Sequence, residues 1–527
     1  MDHARSAITA RSTSFPWRLF CGVFAGLFLL MAAWALATPV YSVPDEPSHA
    51  VRAAAAWHGE VVGNGMQFEA PRYLLIDGAG VCYNSAVDQS ANCIGPIVSD
   101  GRLIPYTSSA NTNSPVYYLM AGLPSAFLTG APAIYGMRIF SAAVTCLLFA
   151  ALAVLLVRLP RARWVVLLPA AVITPMVVFL GGSINPNAIE MAAAGALLGS
   201  LLVLARERPS GWLFGFSVAT AIVSAAFVTG GRSLAMLWVV FAAIAVVALL
   251  RVEDWRALMR RRSTWIVLAV LAVICLFALW WFTRPENTVH AAKVPYPGSL
   301  WGVAQDMLEK TFLYWRQDAG IFGTLNVPAP EGVQTLWSAV FVALIVLPLV
   351  LGRGRERWVA AGFSAALLVL PIMVQVALWR QVGDVWQGRY MLAVFLMLAI
   401  AGGLALDRVL GRTAAAGAPG QDLAHRRTVS VLRAVLVLLG IAQLASFLFT
   451  LRRYASPERS WFQFLLQPEW QPPGSTIGLT LLALVALGLS TVWVWRSLPR
   501  LFEPVPARDA EPSALAAADE PVSTPSA

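Results

Sequence analysis

Residues 17–52 read WRLFCGVFAGLFLLMAAWALATPVYSVPDEPSHAVR. After Arg18 no charge interrupts the run before Asp45, and its first part, 17–39, is long enough to cross a hydrocarbon core about 30 Å thick. Inside that core the backbone must satisfy its own polar groups, which dictates a helix. Val43-Pro44-Asp45-Glu46-Pro47 then ends the run with two adjacent carboxylates. A membrane anchor followed at once by acids sets both the class of protein and the first place to look for chemistry.

Similar runs recur along the chain. They predict an all-α polytopic membrane protein of about twelve helices, at 17–39, 134–158, 162–181, 185–206, 211–229, 232–251, 264–283, 334–352, 358–378, 389–410, 430–451 and 475–497. Of 527 residues, 58% are hydrophobic and 13% charged. Soluble domains carry about a quarter of charged residues, so a water-soluble fold is excluded.

The formal charge of +10 does not point to nucleic acid, because the basic residues fall in short clusters between apolar runs. With the N-terminus inside, Arg158/Arg161/Arg163, Arg206/Arg208, Arg256/Arg260/Arg261/Arg262, Arg353/Arg355/Arg357 and Arg426/Arg427 all lie on the cytoplasmic side. This orientation predicts a multi-pass membrane protein with both termini cytoplasmic. Residues 1–16 form the basic N-terminus, 17–497 the membrane domain, and 498–527 a disordered tail rich in Pro, Ala and acids. The extracytoplasmic segments are 40–133, 284–333, 379–388 and 452–474. Within the first, SPVYYLMAGLPSAFLTG (114–130) reads as a short helix dipping into the outer leaflet, since a full span would reverse the Arg158 cluster. No small-residue cleavage site follows the first run, which is read as a retained anchor.

Cys82 and Cys93 share the first outer loop, whereas Cys21, Cys146 and Cys275 sit in apolar runs. A Cys82–Cys93 disulfide on an oxidising face would stabilise that loop by roughly 2 to 3 kcal/mol. The alternative is two free thiols.

Pro47 suits the first turn of a helix, so a short amphipathic helix is expected to run to about Gly59 along the interface, with Glu46, His49 and Arg52 on one face. A carboxylate there can act as general base on an acceptor hydroxyl or ligate a divalent cation such as Mg or Mn. It can equally cap the helix and complement its dipole. Adjacent residues point apart, so Asp45 and Glu46 are not expected to share one task. Asn113, Tyr117 and Tyr118 bring an amide and two phenols to the start of the dipping helix; capping and an aromatic belt are the plainer reading. The turn at Gly181–Glu190 places Asn185 at a helix start and Glu190 about one turn into a span, where a carboxylate is costly unless it faces protein or water. Gln387, Arg389 and Tyr390 open the tenth span, and Arg232 the sixth. Each arginine can hold a lipid phosphate or merely snorkel to head groups. Asp318, with Arg316, Gln317 and the glycine-rich stretch from Gly320, is expected to roof the cavity. No nucleotide-binding glycine loop, zinc-protease or serine-hydrolase motif is present.

Taken in order, Pro44-Asp45-Glu46-Pro47 with His49, the Asn113–Tyr118 segment, Ser183-Ile184-Asn185-Pro186-Asn187, Phe322-Gly323 and Gln387-Gly388-Arg389-Tyr390 resemble a bacterial family of membrane proteins, domain of unknown function 2142. They spread over most of residues 15–450. Asn187 and Leu325-Asn326 depart from it, standing where acidic residues are more familiar. The family in turn looks like the C-fold (GT-C) glycosyltransferases, which take sugar from a polyprenyl-phosphate carrier on the outer face. The resemblance implies Asp45 as base, Glu46 in support or at a cation, Arg389 on the departing phosphate, and a glycan or lipid-linked acceptor. Rival classes are a secondary transporter or flippase, which suits twelve spans but finds no halfway repeat, and a noncatalytic envelope-assembly scaffold.

Overall fold

The computed structural model describes residues 14–79, 81–84, 88–160, 162–284, 294–296, 298–410 and 421–503. The basic stretch 1–13, Arg161, Arg412 and the tail from 504 lie outside the described residues. Among the described residues ten helices are long and apolar enough to cross a membrane, or twelve if two bent pairs each count as one span.

The first span is α1 (Trp17–Ala37), which packs along α4 (Gly130–Leu156). Between them come α2 (Glu46–Trp57), the antiparallel pair β1 (Gln67–Pro71) and β2 (Leu103–Thr107), and α3 (Pro115–Ala121). The next span is broken into α5 (Trp164–Ala171) and α6 (Pro175–Gly181) with a bend of 73°. The sequence predicted a continuous helix over 162–181. Pro175 cannot donate to the preceding turn, and Thr174 caps the second half by accepting from Val177 N at 3.3 Å.

The most deeply buried helix of the first half is α7 (Pro186–Arg206), held between α4 and α8 (Gly211–Thr229). The span expected at 232–251 starts with a 3-10 turn, runs as α9 (Met236–Leu249), and turns through 115° into the short amphipathic α10 (Val252–Met259). Next, α11 (Arg262–Phe282) leaves Trp265, Ile266, Val273, Leu276 and Trp280 exposed along its length. Such a row suits a face toward lipid.

The segment predicted as loop from 284 to 333 instead holds α12 (Leu300–Glu309), α13 (Thr311–Gly320) and a small hairpin of β3 (Ile321–Phe322) and β4 (Val327–Pro328). Four long helices complete the chain: α14 (Glu331–Leu351), α15 (Arg355–Val382), α16 (Leu392–Leu410) and α17 (Gln421–Ala455), followed by short α18 (Trp461–Leu466) and the last span α19 (Thr476–Leu501). Almost wholly buried, α16 packs against α5, α7 and α15. It and α7 form the centre of the molecule.

The ends of these two helices define two faces. On one, Glu356 at the start of α15 pairs with Arg206 of α7 at 3.1 Å and Arg408 of α16 at 2.6 Å, and Asp407 accepts from the backbone N–H groups of Arg163, Trp164 and Val165. On the other, the starts of α7 and α16 converge on Pro44 and Asp45. The basic clusters around Arg163, Arg206 and Arg355 therefore share the face opposite the acid motif.

One expectation for the Asp45 face changes. The helix predicted along the interface is present as α2 but is a core element, with Ala50 and Val51 through Ala56 buried. Its run of alanines lets α3 come so near that a Cβ on Gly122 would sit 2.0 Å from the Ala53 carbonyl oxygen. The stretch 114–130 forms α3 and a 3-10 turn over Leu123–Ala126 before α4 starts at Gly130. Cys82 and Cys93 are joined to each other, with Cα atoms 5.9 Å apart.

Candidate functional site

Asp45 sits in the left-handed backbone region, φ 61°, one of the few places where a short polar residue replaces glycine without large strain. It occupies the position before α2 without capping it: its side chain makes no hydrogen bond to the helix N-terminus. The carboxylate turns to Arg389, which donates to Asp45 Oδ2 through Nη2 and to the Pro44 carbonyl through Nη1 at 3.2 Å. The two partners differ sharply in environment. The Asp45 side chain is 49% exposed and that of Arg389 only 1%. Pro44 O also accepts from Asn185 Nδ2 at 3.0 Å, so the starts of α7 and α16 grip the same carbonyl.

Glu46, the adjacent acid, faces the other way. Its Oε1 accepts from Arg138 Nε at 2.7 Å and Ile184 N at 3.1 Å; its Oε2 accepts from Arg138 Nη2 at 2.6 Å and Tyr41 N at 3.0 Å. Neither side chain of the pair has any exposure. Arg138 also donates to the carbonyls of Ala35, Thr38 and Pro39, closing the end of α1. Glu46 thus has no open face for substrate or cation. Arg138 was not singled out from the sequence; the available signal was one arginine in the apolar run 130–156.

His49 lies one turn into α2. Its Nδ1 is 2.8 Å from Tyr118 Oη, which accepts from Asn113 Nδ2 at 2.7 Å. Burial holds the His49 pKa down to about 3; Asp45 opposes the shift, and Arg389 and Arg232 reinforce it. For Asp45, burial pushes upward, and Arg389, His49 and Arg232 more than offset it, leaving the carboxyl below its ordinary range.

Arg232 makes a fork to Glu190, with Nη2 to Oε2 at 3.1 Å, and lies over the Tyr390 ring at 4.4 Å. Trp238 Nε1 donates to the other Glu190 oxygen at 2.6 Å. Arg389 lies over the same Tyr390 ring at 5.4 Å. The costly intramembrane carboxylate of Glu190 is thus neutralised in place, and both guanidinium groups lie near the Tyr390 ring.

Asp45, His49, Asn113, Tyr118, Asn185, Glu190, Arg389 and Tyr390 therefore gather in one region. Others stand apart. Tyr117 Oη pairs with Ser141 Oγ at 3.2 Å. Arg52 borders the region, buried over the rings of Phe68 and Tyr118 and donating to Asn113 O at 3.4 Å, but its shorter bond, to Val61 O at 2.6 Å, braces the outer loop. Asp318, expected to roof the site, is 1% exposed with neither carboxylate oxygen hydrogen-bonded, and burial raises its pKa well above the usual range. Its neighbour Gln317 makes the connection instead, accepting from Gly388 N at 2.8 Å. Any side chain at Gly388 would strike Tyr314 O at 2.2 Å. Gln387 sits beside this contact with its Oε1 buried and unpaired.

Among the described residues no three His, Cys, Asp or Glu side chains are grouped to hold a metal ion. The one open carboxylate here lies against arginine, a donor set unsuited to Mg or Mn.

The family described as "Predicted membrane protein (DUF2142)" matches residues 28–398. The chain belongs to that family. No curated protein matches the sequence. Among solved structures, the chain is similar to ArnT from Cupriavidus metallidurans in the apo state, at 14% identity and TM-score 0.43, covering 89% of this chain and 75% of that one. It is also similar to the same protein bound to undecaprenyl phosphate, at 14% identity and TM-score 0.41, covering 90% and 77%. Both scores lie below 0.5, a likeness too loose to transfer an activity.

Proposed function

We propose that this member of the DUF2142 family is a GT-C-like glycosyltransferase that moves a sugar from a polyprenyl-phosphate carrier to a cell-envelope acceptor at the extracytoplasmic face of the bacterial plasma membrane. The observation that carries the reading is the half-exposed Asp45 carboxylate resting on the buried Arg389 guanidinium, at the end of the bundle opposite the basic clusters. The positive-inside rule then puts Asp45 outside the cytoplasm and both termini within it.

The acceptor hydroxyl gives its proton to Asp45 as its oxygen attacks the anomeric carbon. The bond from that carbon to the phosphate oxygen breaks, and the polyprenyl phosphate leaves with the electron pair. Arg389 stabilises the charge growing on the phosphate. A phosphate leaves readily, so one base and one cationic clamp suffice without a second open carboxylate. Glu46, closed by Arg138, holds the motif in place.

The test is sugar release from polyprenyl-phosphate sugars by protein in nanodiscs, with Asp45→Asn in parallel. Release by the wild type and its loss in the variant would support the transferase. The break between α5 and α6 favours the rival transporter, since discontinuous spans line transport sites. Solute or lipid movement that persists in the Asp45 variant, without donor consumption, would favour that class.

A further inference from the structure

The charges at the Asp45 face balance within the site. Glu46 and Arg138 cancel in a closed pair, and Glu190 holds Arg232 through a fork that Trp238 reinforces. Of the guanidinium groups in this region, Arg389 is paired with the half-exposed acid, whose release moves only one solvent-facing side chain. Arg389 also keeps a buried Nε without a hydrogen-bond partner, so its donor capacity exceeds what Asp45 and Pro44 use. An arginine fork with a spare donor matches a tetrahedral phosphoryl group better than it matches one carboxylate oxygen.

We propose that Asp45 occupies, on Arg389, the place of a ligand's phosphoryl group, and that phosphate binding displaces the carboxylate and so releases the base. This rests on the transferase reading for its catalytic meaning, but the displacement itself does not. While paired, Asp45 is a weak base, because Arg389 stabilises its charged form. Once a phosphoryl group takes the guanidinium, that stabilisation is withdrawn and a second negative charge stands nearby. The Asp45 carboxylate then accepts a proton more readily. Donor binding must therefore precede deprotonation of the acceptor, and an acceptor arriving first meets a masked base. The Pro44 carbonyl, held by Asn185 as well as Arg389, keeps the main chain in place while the Asp45 side chain swings.

Binding measurements on the full chain in nanodiscs test this with two probes, polyprenyl monophosphate in the bilayer and inorganic phosphate in solution. Asp45→Asn removes the competing charge, and Asp45→Gly does so in a residue that accepts the same backbone. Each should bind the probe at least about fivefold more tightly than wild type, the scale of a partly exposed ion pair. Arg389→Ala should lose that binding. Tightening for the lipid alone identifies a carrier site; tightening for both identifies a general phosphoryl site, and either supports displacement. Equal or weaker binding in both Asp45 variants, or no binding of either probe to any form, overturns it. If the variants bind more tightly yet still release sugar at the wild-type rate, displacement stands and Asp45 as base falls.

Discussion

Glu46 and Arg138, 92 residues apart in the chain, meet side chain to side chain with neither exposed to solvent. A buried pair of this kind is costly to break singly, because the survivor keeps its charge without water or partner. Glu46→Gln or Arg138→Ala should each destabilise the protein by about 3 to 5 kcal/mol. Thermal unfolding in detergent would show it. Replacing both with apolar residues should restore much of the loss, and a double variant no better than the singles would show that the charges serve something besides each other.

On the proposed transferase reading, removing Arg389 takes a preorganised donor from the leaving phosphate and should cost about 10² to 10³ in turnover. Arg389→Lys should recover little, since one ammonium cannot reach both Asp45 and the Pro44 carbonyl as the fork does. Single-turnover sugar release is the measurement, and a Lys variant at the wild-type rate would remove the geometric argument.

Acid should act on stability through His49. Its pKa in the folded protein is about 3, below its ordinary 6.5, so between those values the unfolded chain binds a proton that the folded one refuses. Stability therefore falls as pH drops from about 6.5 toward 3 and is unaffected by this group above it. His49→Gln should flatten that part of the profile, read as melting temperature against pH.

Among these acids, Asp318 behaves as an opposite case. Its pKa is raised, so the folded state prefers it neutral, and its contribution worsens as pH rises through and above the ordinary carboxylate range. With no hydrogen-bond partner to lose, Asp318→Asn should stabilise the protein at neutral pH, by about 1 to 3 kcal/mol. A lower melting temperature in the variant would instead mark Asp318 as a group whose charge is used.

The bridge between Cys82 and Cys93 closes a loop with a sequence separation of 11. Substituting both with alanine should cost roughly 2 to 3 kcal/mol, with protease sensitivity rising first in the outer loop. Unchanged cleavage kinetics would show that the loop is held by its other contacts.

The sequence told the membrane class and the approximate positions of the long helices from apolar run length alone, and it singled out Pro44-Asp45, Asn185 and Arg389 although they lie far apart in the chain. What it did not tell was how the two neighbouring acids divide their work. That depends on Arg138, whose role becomes visible only when α4 lies against α1. Breaks in spans were equally hidden at 172–174, where hydropathy continues through Pro169 and Pro175 while backbone geometry does not. The helix at 46–57 was read from its caps, but its burial follows from partners contributed by residues 115–126.

Asp45 is braced by a residue 344 positions later, and Arg453 near the end of α17 donates to the carbonyls of Tyr83 and Gln89 in the first outer loop. Chains grow at about 5 to 20 residues per second, so the acid motif waits roughly 20 to 70 s after synthesis before its arginine emerges. During that interval the loop has left the ribosome but lacks its brace, and a chain arrested before the tenth span would carry the motif without its guanidinium. Assembly order thus withholds a finished Asp45–Arg389 pair from nascent and truncated molecules, and its completion reports that translation has passed Arg389.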